Sequence, residues 1–211
     1  VNRENTFISY YSYGSILGIA LDLSLREKGL NLDEFMKMMW QKYGKNEVAY
    51  DTEDIENTLT AYAGKEFSDN FFAKHIRSAE KPDYRKLFDH VGVSITQDSK
   101  KNHFGASFRE TENGLEISRN TVIGSPAYKA GLDEGDLITS VNGTPVHTSE
   151  AMKKVIAGTA EGKKIKLEYQ RFGKTETTSV ELSTDPEYKI TLSENASKEQ
   201  FKNRKNWLES K

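Results

Sequence analysis

The chain has 211 residues, 30 Lys and Arg against 32 Asp and Glu, a net charge of −2 and no cysteine. That length can bury the cores of two modest domains. The interspersed charges lack the basic patch that would make nucleic acid a partner, and without cysteine there is no disulfide framework, thiol catalysis or cysteine-ligated zinc.

The longest apolar run, Ile16 to Leu21, stops at Asp22. It falls short of the ~20 residues that cross a bilayer, so no membrane-spanning segment is expected. The first residue is Val1, with neither an initiator Met nor a signal-peptide pattern, which reads as a piece cut from something longer.

From Phe7 to Phe88 the periodicity is helical. Ile16, Leu17, Ile19, Ala20, Leu21, Leu23 and Leu25 predict a helix buried on most sides and ended by Gly29. Asn31 with Glu34 makes a capping-box-like start for an amphipathic helix carrying Leu32, Phe35, Met36, Met39, Trp40 and Tyr43. Thr52 is placed as the cap of a third helix with Ile55, Leu59, Tyr62 and Ala63 inward. Ser68 is placed as the cap of a fourth with Phe71, Phe72 and Ile76, and Pro82 opens a short fifth.

From Val91 the texture changes to alternation, as in Val91-x-Val93-x-Ile95 and Ile165-x-Leu167-x-Tyr169, with glycine-rich turns between. The expected organisation is therefore α+β and multidomain: a helical part over 1–89, a β-rich domain over 90–185, and a tail over 186–211. The tail reads as a strand, Tyr188 to Leu192, then a helix opened by a Ser197–Gln200 capping box. Its Phe201, Trp207 and Leu208 predict docking onto a neighbour.

Within the β-rich domain, Ser125 reads as a helix cap, Pro126 as the first helical residue and Gly131 as the left-handed residue past the helix end. Gly135-Asp136 turns into the strand-like Leu137 to Val141, and Asn142-Gly143 is the preferred dipeptide of a two-residue hairpin. A second helix is predicted over Ser149 to Ala157, with a hairpin tipped by Phe172-Gly173-Lys174.

This series of Gly-Ser-Pro-Ala, Ala-Gly-Leu, Gly-Asp-x-Ile and Asn-Gly resembles the central segment of bacterial PDZ domains, which are β-sandwich or barrel-like with two helices. The resemblance implies a groove that takes peptide or protein C-termini by strand addition and holds the terminal carboxylate on backbone N–H groups. Its residues here would be His103, Phe104, Gly105, Ala106, Ser107 and Phe108, with Ser149, Lys153 and Ile156 facing them from the helix. Ala106, Ser107 and Phe108 would begin the pairing strand, and Lys100 and Lys101 would supply positive charge. The Ser/Thr-selecting subtype carries a histidine where this chain has Ser149, so that specificity does not carry over. The other reading is that the domain has no free ligand and packs on its neighbour.

The four histidines, His75, His90, His103 and His147, lie far apart and form no metal-ligand spacing, so solvated or structural roles are expected. No Gly-x-Ser-x-Gly elbow or phosphate loop is present.

A second resemblance covers nearly the whole chain. Ser9 to Gly14, Leu32 to Gly44 with Trp40-Gln-Lys-Tyr-Gly44, and Asn195-Ala-Ser-Lys-Glu-Gln200 before Trp207-Leu208 are similar to the glycyl aminopeptidase family. These are thermolysin-like zinc metallopeptidases that carry a PDZ domain after a helical half. The resemblance implies that 1–89 is the C-terminal half of a gluzincin-type catalytic domain. It implies a parent enzyme that removes N-terminal residues such as Gly or Ala, with zinc in the parent and no cofactor in this piece, which would be inactive alone and would partner the N-terminal catalytic part. It also implies that Tyr11, or Tyr10 beside it, is the catalytic tyrosine that donates to the oxyanion. Tyr13 stands where the family has lysine. Export to a periplasm or cell surface follows by analogy with related bacterial proteins, while the absence of cysteine suits the cytosol equally. The rival reading is a non-enzymatic PDZ adaptor or regulatory module.

Overall fold

The computed structural model describes residues 9–98, 100–160 and 162–209. Their contacts separate into two units, residues 9–96 with 190–209, and residues 97–189. Phe7, where the helical pattern was taken to begin, lies outside the described residues.

In the first unit, α1 (Tyr10–Arg26) starts on Ser9, whose hydroxyl accepts from the Ser12 N–H at 3.4 Å. It is buried only in its second half, at Ala20, Leu23 and Leu25, whereas Ile16 is exposed. The expectation of burial on most sides therefore fails for the first turns. Helix α2 (Leu32–Lys42) is capped by Asn31, which accepts from the Glu34 N–H at 2.8 Å. It turns Phe35 and Met39 inward but leaves Met36 and Trp40 exposed.

Helix α3 (Thr52–Ala63) is capped by Asp51, in a reciprocal box with Asp54, and Thr52 is its first residue rather than its cap. Helix α4 (Lys65–Phe71) follows Gly64 and runs into a π-turn over Phe72–Ile76. Ser68 is thus inside the helix. Its buried hydroxyl donates to the Glu56 carbonyl at 3.0 Å, a long-range role that a local cap pattern does not reveal. Helix α5 (Tyr84–His90) is capped by Asp83.

The chain then enters β1 (Val93–Gln97), which pairs with β10 (Tyr188–Leu192). The sequence placed the domain seam near His90; the contacts place it after Thr96, because Val91 and Val93 are buried with Ala20, Leu23 and Leu87. The tail is likewise part of this unit from Ile190 onward. Helix α8 (Lys198–Leu208) opens with the Ser197–Gln200 box, and Trp207 meets the Phe88 ring edge-on at 6.0 Å. Phe201 and Leu208 stay exposed.

The second unit is built on an antiparallel sheet of β3 (Phe108–Thr111), β4 (Gly114–Ile117), β5 (Leu137–Val141), β7 (Lys164–Arg171) and β8 (Lys174–Glu181), in that order, with β6 (Thr144–Pro145) paired to β5. The short strands β2 (Asn102–His103) and β9 (Ser183–Thr184) pair separately. Asn142 and Gly143 both have positive φ, 52° and 81°, as a type I′ turn demands. Strand β7 alternates Ile165, Leu167 and Tyr169 into the core with charged residues outward. Helix α6 (Pro126–Lys129) has the predicted Ser125 cap, with the left-handed Gly131 beyond it at φ 77°. Helix α7 (Ser149–Gly158) is capped by Thr148 and buries Met152 in the same core.

Asp136, read from sequence as a turn residue, is the polar anchor of this core. Its side chain is 2% exposed and takes both arms of Arg171, Nε at 2.7 Å and a terminal nitrogen at 2.6 Å. That carboxylate raises the Arg171 pKa above its ordinary value, which already keeps a guanidinium charged. Arg171→Ala would leave the carboxylate buried and unpaired and should cost about 3–5 kcal/mol of stability. Urea denaturation with an unchanged midpoint would exclude this anchoring role.

Gly105 is fixed by packing. Its φ is +85°, and a Cβ there would fall on the Ser125 side chain that caps α6. A bulkier residue therefore collides with the fold itself. Gly105→Ala should lower stability by about 2–3 kcal/mol through backbone strain and overpacking. Thermal unfolding of the variant at the wild-type temperature would refute this.

Candidate functional site

The nine residues expected to form a groove are brought together. His103, Phe104, Gly105, Ala106, Ser107 and Phe108 line a cleft of about 1030 Å³ opposite Ser149, Lys153 and Ile156 of α7. The helical spacing of the last three puts them on one face of α7. Phe104 is buried, and Ala106, Phe108 and Ile156 pack against the same core cluster, which gives the cleft an apolar floor.

Segment 104–107 is not itself a strand. Strand β3 begins at Phe108, so Ala106 and Ser107 precede the pairing strand that they were expected to start. What holds them is a set of carbonyls turned onto neighbouring backbone. The carbonyls of Phe104, Gly105 and Ser107 accept from the N–H groups of Ala127, Val122 and Ser118 at 2.9, 3.1 and 2.9 Å. The N–H groups of Gly105 and Ala106 donate to no acceptor among the described residues. Gly105 is a buried residue, and an unspent amide in such a place calls for an acceptor. Successive free amides are a nest for an anion.

Strand β3 ends the sheet order and, among the described residues, pairs with β4 alone. Ile117, opposite Phe108, spends its N–H on Asp136 and its carbonyl on Gly135. The Phe108–Ile117 pair is therefore a non-hydrogen-bonded one, and the Phe108 N–H and C=O point to the open side, as do those of Glu110 two residues on. The cleft thus joins an amide nest to an unpaired strand edge.

Three residues that the sequence reading missed shape it. Asn102 donates its amide to the carbonyls of Ile156, at 2.9 Å, and Thr159, tying the end of α7 to the start of the 103–108 segment. The Glu110 carboxylate accepts from the Ser149 N–H at 2.8 Å, joining β3 to the start of α7. Arg119, one residue past the Ser118–Ser107 hydrogen bond, lines the cleft and makes no ion pair among the described residues. Nothing in the local sequence marks Asn102 and Glu110, because their partners lie far along the chain.

The positive charge assigned to Lys101 is taken up within the fold. Its ammonium meets Asp185 at 2.6 Å and Glu187 at 3.3 Å. The Lys101 hydrogen bond holds the Asp185 carboxyl below the usual carboxylate range, helped by the Glu187 N–H. Lys100 also lines the cleft, without an ion pair of its own among the described residues.

Tyr11 lies in the first turn of α1, in the other unit, and is 74% exposed. Its ring stands 4.2 Å from that of Tyr10, and the Tyr11 hydroxyl raises the Tyr10 phenol above its ordinary pKa. Tyr10, Tyr11 and Tyr13 are all exposed rather than packed at the helix entrance. Among the described residues no three His, Asp or Glu side chains converge as a metal site. His75 bonds the Glu80 carbonyl and stands edge-on to Phe71, and His90 contacts Asn203. No helix among the described residues is long and apolar enough to cross a membrane.

Comparison with known proteins gives the cleft its context. A family model described as PDZ domain matches residues 103–182. The periplasmic pH-dependent serine endoprotease DegQ of Escherichia coli is 43% identical over 75 residues, 33% of this chain and 16% of that protein. A Lactococcus lactis protein named as a zinc metalloprotease is 49% identical over 57 residues, 27% of this chain and 13% of that one. The crystal structure of an aminopeptidase N family protein from Idiomarina loihiensis matches with a TM-score of 0.79 at 22% identity, over 99% of this chain and 38% of that one, which shows a shared fold. The chain spans less than a fifth of the curated relatives it matches. Residues 103–182, which supply most of the cleft lining, are a PDZ domain.

Proposed function

We propose that this chain is a peptidase-associated module whose PDZ domain captures peptide C-termini in the cleft between Phe104–Phe108 and α7. The carrying observation is the pair of unspent amides at Gly105 and Ala106 next to the open main-chain edge of Phe108 and Glu110. An extended peptide supplies what both lack: a carboxylate for the nest and a strand for the edge. PDZ domains bind peptide C-termini in this way, and the apolar floor suits an apolar last side chain.

The fold likeness to the aminopeptidase N family protein, which extends over 99% of this chain, supports placing the module in a longer peptidase of the glycyl aminopeptidase type. In this reading residues 9–96 belong to the helical half of its gluzincin-type catalytic domain, and the zinc and its ligands belong to another part of that protein. The parent would remove small N-terminal residues such as Gly or Ala. Tyr11, whose side chain is exposed, would serve as a neutral phenol donating to the oxyanion of the attacked carbonyl.

The peptide reading is tested by calorimetry with one peptide offered as the free acid and as its C-terminal amide. The acid should bind with modest affinity, since a short peptide must be ordered on binding, and the amide should not. Equal binding of the two, or of neither, would exclude carboxylate capture. The peptidase reading is tested in the longer protein, where Tyr11→Phe should lower kcat by roughly 100- to 1,000-fold with KM nearly unchanged. Full activity with Phe at this position removes Tyr11 from the chemistry, and a loss at Tyr10→Phe instead transfers the role.

A further inference from the structure

Resting on that peptide reading, we propose that the cleft selects acidic tails: peptides ending in an apolar residue with Asp or Glu at one or both of the two positions before it. The inference comes from the charges that the fold leaves unspent. Lys100, Arg119 and Lys153 all line the cleft, and none makes an ion pair among the described residues. The carboxylates near them are already engaged. Asp98 accepts from the Lys100 N–H and faces Lys189 at 3.9 Å, Asp185 holds Lys101 at 2.6 Å, and Glu110 accepts from the Ser149 N–H at 2.8 Å. Among the described residues, an incoming peptide therefore meets three cations without an ion pair and no carboxylate without a partner.

Strand geometry sorts them. A peptide added along β3 alternates its side chains between two faces. With the terminal carboxylate on the Gly105 and Ala106 amides, the last side chain falls on the floor made by Ala106, Phe108 and Ile156. The side chain two residues earlier lies on the same face, nearer the start of α7, where Ser149 and Lys153 are. The penultimate side chain points the other way, beside Ser107 and the 118–120 segment that carries Arg119. Ser149 offers only a short hydroxyl, so Lys153 dominates the α7 side, where a ligand lysine would meet like charge.

The test uses the full chain and fluorescence anisotropy with labelled free-acid hexapeptides that share a terminal Val and carry Glu, Gln or Lys at the last-but-one or last-but-two position. Affinity should run Glu over Gln over Lys, with steps of about 5-fold, and the advantage of Glu should shrink as salt is raised. Lys153→Glu should invert the order at the last-but-two position, and Arg119→Glu at the last-but-one. Lys154→Glu, on the same helix but outside the cleft lining, should leave the order unchanged. Circular dichroism confirms that each variant is folded, and Lys153→Gln, which only deletes the charge, should remove the preference without inverting it. Equal binding of the Glu and Gln peptides to the wild type, or charge reversals that leave the order intact, overturns the selectivity while the peptide reading stands. No binding by any free-acid peptide overturns both.

Discussion

The cleft depends on how the backbone of Phe104 to Ser107 divides its hydrogen bonds. Its carbonyls are spent on Ala127, Val122 and Ser118, so the segment is pinned by its acceptors while the Gly105 and Ala106 donors stay available. A regular strand would pair donors and acceptors together and leave no nest. The division requires the positive φ of Gly105, and that glycine can sit so close only because Ser125 is small and already occupied in capping α6. Recognition and folding meet at one residue. Any change that enlarges it damages both, so Gly105 is a poor position at which to separate them.

The second constraint lies deeper. The Asp136 carboxylate receives both arms of Arg171 and also accepts from the Asp133 N–H at 2.8 Å, while Arg171 donates onward to the Gly131 carbonyl at 2.7 Å. One charged pair thereby fixes the turn after α6 and the start of β5 against the end of β7. Buried charge is tolerated here because the carboxylate oxygens all have partners. The main chain of Asp136 accepts from the Ile117 N–H, so Ile117 does not spend that N–H on Phe108 and the Phe108 main-chain groups are left to the open side. The polar anchor and the open edge of the groove are therefore linked through a single residue.

Much of this was legible in the sequence, and the reasons for the misses are physical. The Ser125–Pro126 start, the Asn142–Gly143 turn and the Ser197–Gln200 box are local devices whose partners lie within a few residues, so their chemistry shows in the string. The nine residues that line the cleft could be named together because the α7 face follows from local helical spacing and the resemblance to PDZ domains supplied their pairing. Thr52 was taken for a cap because Asp51 beside it is equally competent. Ser68 was misplaced because its hydroxyl serves the distant Glu56 carbonyl. Lys101 was taken as free cleft charge because Asp185 and Glu187 lie more than eighty residues away. Val91 and Val93 alternate like a sheet of the second unit, yet they pack into the core of the first.

The way the chain enters and leaves the PDZ unit has a further consequence. It goes in from β1 and comes out into β10, and these two strands pair with each other. The unit is thus an insertion with neighbouring ends, closing a loop of roughly ninety residues within the helical unit. Were that loop unfolded, holding its ends together would cost on the order of 4 kcal/mol of chain entropy. Once the inserted unit folds, its own structure supplies most of that closure. The β1–β10 ribbon and the return of α8 are therefore thermodynamically coupled to the integrity of a domain with a separate core, and a ligand that stabilises the insert is felt by the unit that holds it.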